Sequence, residues 1–228
     1  MRAYVINLDR RPDRLQRVSD RFASVGVTLT KHTAFDREVL DPATGEDLVV
    51  GGLLANWKSH AQLLRVVADS PESHALILED DAVPSTNVDW PLLLLRTGPA
   101  MESAGVDFLQ LGFVSWQYGW TRPGLLERFR LLLYRGSVTA LALDTTRSIV
   151  RGSVLSGAHA YVVSRSFARR SEGLNNPCWT GSDGLWMRMA SMSGWDNRFP
   201  GMARLRSSIV EQESRTNRAS DLDTDVCS

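Results

Sequence analysis

Apolar positions along this chain switch between two periods, and the switches mark the elements. Ala3 to Leu8 is a short apolar run rich in β-forming residues, which predicts a buried strand. Asp9 to Pro12 turns the chain, and Pro12 suits the first turn of a helix. That helix is predicted to reach about Val25, with Leu15, Val18, Phe22 and Val25 spaced three and four apart on one face. Gly26 stands where a helix C-cap is expected, and Val27 to Ala34 reads as a second strand. Strand, helix and strand in quick succession open an α/β domain.

Gly51 and Gly52 precede a further predicted helix over Leu53 to Ala68. Leu76 to Leu78 is then a buried strand that runs straight into three acids, Glu79, Asp80 and Asp81. A Leu-rich helix is expected near Trp90 to Arg96, strands at Asp107 to Leu111 and Ala160 to Val163, and helices at Arg165 to Glu172 and Gly184 to Ala190. Trp116 to Gly152 has no clear period and reads as an insertion with one helix near Leu125 to Tyr134. No repeat or low-complexity linker divides the chain, so residues 1–214 are expected to form one domain and residues 215–228 a loose polar tail.

Composition narrows the classes. The 228 residues are 43% hydrophobic and 23% charged, as in a globular domain large enough to bury its core without disulfides. Lys plus Arg and Asp plus Glu are each 26, and this balance lacks the basic excess of a nucleic-acid-binding protein. Cys178 and Cys227 make neither a disulfide framework nor a metal-binding spacing. No charged start leads into an apolar stretch, and the longest apolar runs are too short to cross a bilayer. A cytoplasmic protein without a transmembrane segment is therefore expected. The stretch "LLERFRLLLYR" reads first as a core or dimer helix, which would allow a homo-oligomer. Its second reading is a peripheral helix on the inner membrane surface.

The candidate chemistry centres on "ALILEDDAVPS", Ala75 to Ser85. Apolar residues running into acids describe a strand whose carboxyl end opens on solvent, where ligands of open α/β sheets bind. Strand alternation predicts that Glu79 and Asp81 share a face while Asp80 points elsewhere. Two carboxylates on one face repel unless a cation lies between them, and oxygen ligands suit Mg²⁺ or Mn²⁺. A solvated acidic turn would produce the same three letters. "INLDRRPDR" places Asn7, Asp9, Arg10 and Arg14 at and after the first strand's end, where Arg forks and a helix N-terminus suit phosphate. Ser59 and His60 lie on a predicted helix, where a lone His is more often packed than a ligand. His159 falls within a strand-like run and reads first as structural, with a third metal contact or a place along the acceptor cleft as its other readings. Asp183, in "TGSDGLW", stands at a Gly-flanked helix start, which is also a common capping position.

In combination these segments resemble glycosyltransferase family 25, which includes lipooligosaccharide and collagen galactosyltransferases. The resemblance is carried by "YVINLDRRPDR", by Ser59 and His60, and by "ALILEDDAV", "DFLQLG" and "SGAHAYVVSRSFARR". Asp183 and "IVEQ" at Ile209 to Gln212 complete the order, over about Met1 to Asp221. It implies a GT-A type fold, a Rossmann-like nucleotide-binding α/β fold with a mostly parallel central sheet flanked by helices. It further implies a UDP-sugar donor, most often UDP-galactose, transferred with inversion to an acceptor hydroxyl on a glycan, a lipid-linked glycan or a protein. Glu79 and Asp81 would be the metal ligands for Mn²⁺ or Mg²⁺, with Asp80 close by. Asn7, Arg10 and Arg14 would lie near the nucleotide, Asp36 near its base or ribose, and Ser59, His60 and Gln212 near the donor. Asp183 would be the base that takes the acceptor proton. The chain departs from the family before Ser59, where Ala55 and Asn56 replace a Gly-Cys pair and Lys58 replaces an apolar residue.

Two other classes fit the same acids. A metal-dependent nucleotide-sugar phosphohydrolase would also use an acidic strand end, and a non-catalytic nucleotide-sugar-binding module would keep the fold without turnover.

Overall fold

A computed structural model describes residues 1–36, 48–112, 149–151, 159–172, 202–205 and 209–213. Its centre is a sheet built from β1 (Arg2–Asn7), β2 (Leu29–Thr33), β3 (His74–Glu79), β4 (Ala82–Pro84), β5 (Phe108–Gly112), β6 (Ile149–Arg151), β7 (Ala160–Ser164), β8 (Met202–Leu205) and β9 (Val210–Gln212). Helices α1 (Pro12–Ala23), α2 (Leu48–Asp69), α3 (Trp90–Ala104) and α4 (Arg165–Ser171) connect and cover it. The main strand order is β2-β1-β3-β7-β5-β8-β6, with β9 bridging β4 and β5.

The opening forms as its pattern predicts. Strand β1 pairs parallel with both β2 and β3, as strands joined through helical crossovers do. On α1, Val18 and Phe22 are fully buried and Leu15 packs at the margin of the same core, as does Val25 just after the helix. After α1, Gly26 adopts φ 80°, and the Val27 amide reaches back to the Phe22 carbonyl to close the helix end. Helix α2 begins earlier than its glycines suggest: Gly51 and Gly52 lie inside it. Helix α3 is also longer than predicted and carries Pro99 in its interior. It begins with Asp89 capping the Leu92 amide and stops at Gly105 in the left-handed region.

The sheet is mixed, which corrects the mostly parallel arrangement expected. Strand β7 runs antiparallel to both of its neighbours, β3 and β5, and β4–β9 and β6–β8 are antiparallel as well. Sequence pattern is blind to this: a strand buried on both faces reads as a continuous apolar run whichever way it points. All five residues of β7 are buried, as in a central strand. Strands β4, β8 and β9 are short and have no counterpart in the sequence pattern. The end of the supposed insertion forms edge strand β6 against β8. Its expected helix near Leu125 to Tyr134, the helix at Gly184 to Ala190 and the 215–228 tail lie outside the described residues. Among the described residues no helix is long and apolar enough to cross a membrane.

Side chains alternate between two cores. Ala3, Val5, Leu76, Leu78 and Val162 face α1 and α3, where Phe22 meets Trp90 edge-on with ring centroids 5.6 Å apart. Tyr4, Ile6, Ala75, Ile77, Tyr161 and Val163 face the opposite way, toward Trp57, Leu63, Leu64 and Val67 of α2 and Phe167 of α4. This alternation decides where the polar residues at the strand ends point.

At the amino end of β5, Asp107 ties α4 to the sheet. Its carboxylate accepts from the Ser164 hydroxyl at 2.7 Å, the Ser166 hydroxyl at 2.9 Å and the Arg170 guanidinium at 2.7 Å. Burial works to raise the Asp107 pKa, but these three donors outweigh it and hold the carboxyl below its usual range. A carboxyl with a lowered folded pKa stabilises the fold above the unfolded pKa and loses that contribution as pH falls through the folded value. Asp107→Asn is therefore expected to cost about 1–2 kcal/mol near neutral pH. The gap to the unmodified protein should close as acid protonates Asp107. Denaturant unfolding at stepped pH values measures this, and a gap independent of pH would contradict it.

Candidate functional site

Parallel pairing of β1, β2 and β3 brings their carboxyl ends to one edge, with Asn7 opposite Thr33 and Ile6 opposite Glu79. Antiparallel β7 starts at the same edge, so His159 lies beside Glu79 and its carbonyl accepts the Glu79 amide at 3.1 Å. Strand β9 arrives through its pairing with β4, which places Gln212 opposite Ala82. Four segments remote in sequence thus meet around the acidic triplet.

The three carboxylates diverge. Strand β3 ends at Glu79, and Asp80 and Asp81 form the turn into β4, so strand alternation does not carry through to Asp81. Glu79 continues the Ala75 and Ile77 face toward α2. There its Oε1 accepts from the Asn56 amide at 3.1 Å and lies 3.3 Å from His60 Nε2. Asp80 turns to the α1 side, accepting from Asn7 Nδ2 at 2.8 Å and from Arg14 Nη1 at 3.2 Å. Asp81 accepts from Gln212 Nε2 at 2.8 Å, while its backbone carbonyl accepts the Glu213 amide. Glu213 in turn pairs with Arg21 of α1 at 3.0 Å, which ties the C-terminal segment to the opening helix.

These environments set the carboxyls apart. Burial would raise Glu79, but hydrogen bonds from His60 and the Asn56 amide, with the polar His60 and His159 rings beside it, hold it below its ordinary value. Asp80 is raised, because burial and the Glu79 charge outweigh Arg14 and Asn7. Tyr161, fully buried behind Glu79, is pushed well above the usual phenol range by burial and the nearby carboxylate.

The opening motif surrounds this turn. Asn7 is 1% exposed and its amide also donates to the Arg11 carbonyl, so it acts as a clasp between the end of β1, the start of α1 and Asp80. Arg10 pairs with Asp36 at 2.9 Å, which joins the opening motif to the segment after β2. Asp9 pairs with Lys31 and Thr33 on β2. Ser59 accepts the Phe35 amide at 2.8 Å and donates to the Ala55 carbonyl, so it anchors the approach to Asp36. His60 is fully buried, with Nδ1 2.6 Å from the Tyr161 hydroxyl. Asp183 lies outside the described residues. Asn7, Arg10, Arg14, Asp36, Ser59, His60, Asp80 and Gln212 therefore gather around one edge with Glu79 and Asp81.

Two residues at this edge are not among the sequence candidates. Asn56, a departure from the family pattern, stands one helical turn before His60 and donates to the same carboxylate oxygen. Its spacing of four from His60 is the available signal. Tyr161 gives no signal, because an aromatic residue in a buried strand reads as core.

Among the described residues no three His, Cys, Asp or Glu side chains form a ready-made metal cage. Mg²⁺ needs none: it is bound through one or two carboxylates, completed by substrate phosphates and water. The oxygen-only donors of the β3–β4 turn fit a hard divalent ion of this kind. A cleft of about 580 Å³ lined by His74, Glu102, Asp107, Arg165, Arg169 and Arg170 lies at the opposite end of the strands, away from this chemistry.

No family model and no curated protein matches the sequence. Solved structures with a related chain course include a glycosyltransferase involved in glycosylation of the major capsid of PBCV-1. It is 8% identical, with TM-score 0.47, covering 98% of this chain and all (100%) of that one. A197 from STIV is 12% identical, with TM-score 0.41, 92% of this chain and 83% of that one. Glucosyl-3-phosphoglycerate synthase from Mycobacterium tuberculosis, in complex with Mn²⁺, UDP and phosphoglyceric acid, is 13% identical, with TM-score 0.38, 96% of this chain and 72% of that one.

Proposed function

We propose that this chain is a glycosyltransferase that moves a hexose, galactose first among the candidates, from a UDP-sugar to an acceptor hydroxyl with inversion. One observation supports this most: the acidic turn at the carboxyl edge of β3 is flanked by the Asn7 and Arg14 side chains of the opening motif. Carboxylates suited to a divalent ion and guanidinium groups suited to phosphate then stand side by side, as a nucleoside diphosphate requires.

Glu79 and Asp81 would hold Mn²⁺ or Mg²⁺, which when bound supplies Lewis-acid stabilisation of the diphosphate. Arg14 and Arg10 would add fixed positive charge where the diphosphate gains charge as its bond to the anomeric carbon breaks. Asp36, Ser59 and Gln212 would border the donor. On the opposite face of the sugar the acceptor oxygen forms the new bond while Asp183 takes its proton. The acceptor class is a glycan, a lipid-linked glycan or a protein side chain.

The test is a UDP-sugar panel with the full chain and Mn²⁺, reading UDP release and product mass. One UDP-hexose is expected to be consumed, with activity abolished by chelation and restored by Mn²⁺. Equal turnover after thorough chelation would sink the metal's role, and donor breakdown with no glycosylated product would favour the phosphohydrolase. Asp183→Asn should reduce turnover by about a hundredfold or more while UDP binding is kept. Near-normal turnover would remove Asp183 as the base.

A further inference from the structure

Behind the acidic turn lies a chain of polar groups that the transfer reaction itself does not call for. The Tyr161 hydroxyl is 2.6 Å from His60 Nδ1, and His60 Nε2 is 3.3 Å from Glu79 Oε1. Tyr161 and His60 are both fully buried, whereas the Glu79 side chain keeps 20% of its surface exposed. The chain therefore runs from the core to a carboxylate that is gripped from behind and open in front.

Proton counting fixes the direction of these bonds. An ionised carboxylate only accepts, so the imidazole proton facing Glu79 belongs on Nε2. In the neutral ring this leaves a lone pair on Nδ1, which can only accept, and the phenol is the donor within reach. Ring packing holds the geometry: Tyr161 lies between His60, with centroids 5.7 Å apart, and Phe108, at 5.0 Å. Apolar residues of similar size would fill the same volume without desolvating a hydroxyl and an imidazole. Packing alone does not account for the choice.

We propose that Tyr161 and His60 are positioning residues: the Glu79 carboxylate and the phenol together hold the His60 proton on Nε2, and that N–H, with the Asn56 amide, aims the Glu79 carboxylate at the ligand edge. Neither group touches the donor. The proposal deepens the transferase reading and rests on Glu79 being a ligand there.

The lock can be read without any ligand, by long-range proton–nitrogen NMR on histidine-labelled protein. There are four histidines, and His60 is assigned by its loss in His60→Gln. The unmodified protein should show His60 as a single Nε2–H tautomer, and so should Tyr161→Phe, because the carboxylate remains; Tyr161→Phe with Glu79→Gln should give a mixture. An Nδ1–H tautomer in the unmodified protein, or a single unchanged tautomer in Tyr161→Phe with Glu79→Gln, overturns the lock. Calorimetry with Mn²⁺ and UDP reads the aim. Removing groups that hold a metal-binding side chain typically costs about 10- to 100-fold in affinity. That loss is expected in the double variant Tyr161→Phe with His60→Leu, whose apolar side chains should keep its melting temperature near that of the unmodified protein. His60→Gln, which keeps a donor toward Glu79, should bind better than His60→Leu although it melts no higher. Packing alone would reverse or erase that order, so affinity in the double variant equal to that of the unmodified protein overturns the positioning role. Should the unmodified protein bind neither Mn²⁺ nor UDP while its tautomer lock responds to Tyr161→Phe with Glu79→Gln, the transferase reading fails and the lock stands.

Discussion

Glu79→Gln combined with Asp81→Asn is expected to lower UDP-sugar turnover by about a hundredfold or more, at least about 2.7 kcal/mol of transition-state stabilisation. Both replacements keep shape and remove charge. The amide carbonyl introduced by Glu79→Gln can still accept from Asn56 and His60, and the one introduced by Asp81→Asn can accept from Gln212. The hydrogen bonds that shape the turn therefore persist. The double variant should not melt much below the unmodified protein. What is lost is the negative potential that draws a divalent ion and its diphosphate to this edge. Donor turnover and Mn²⁺ affinity should fall together. Full activity in the double variant would remove the acidic turn from the mechanism, whatever the fold.

Gly112→Ala should produce the largest stability loss that a single added methyl group causes among the described glycines. Strand β5 bulges against β7 here, as the register shifts between Gln110 and Gly112, and the His159 ring lies directly over Gly112. A Cβ at this position would stand 2.6 Å from His159 Cδ2, 2.7 Å from Nε2 and 3.0 Å from the Val210 carbonyl oxygen. The ring cannot swing clear without giving up its 3.2 Å contact between Nε2 and that same carbonyl. Overpacking of this kind costs about 1–3 kcal/mol, and the backbone oxygen in the way places Gly112→Ala at about 3. For a chain of this size that is a fall of roughly 6–12 °C in melting temperature. Adding His159→Ala should return part of the loss, because it removes the clashing ring, and a double-mutant cycle would show the coupling. Strict additivity would mean that the ring is not what excludes the methyl.

The same glycine shows how much of this site a linear reading can reach. "DFLQLG" is legible as a strand with a glycine at its end, but the reason for the glycine is a histidine 47 positions later that arrives on an antiparallel neighbour. Asn56 is the opposite case: one helical turn before His60, it reads as a departure from the family although helical spacing already places it on the His60 face. Tyr161 carries no signal at all, since its hydroxyl matters only once β7 is laid beside β3 and α2 is packed over both. Strand alternation does not decide how Glu79 and Asp81 point, for a local reason. Alternation holds only while the chain stays extended, and β3 gives way to a turn at Asp80.

By itself the order of residues determined that this protein is an α/β domain opening with strand, helix and strand. It also placed an apolar strand ending in three acids, with Asn7 and Arg14 at the end of another. Those features depend on periods of two and 3.6 and on caps, which act between near neighbours. Tertiary structure alone decided that β7 runs antiparallel, that the three acids face three different partners, and that a buried phenol and imidazole stand behind one of them. Burial on both faces erases direction from the pattern of a central strand, and a hydrogen bond between residues a hundred positions apart leaves no trace in either residue's neighbourhood.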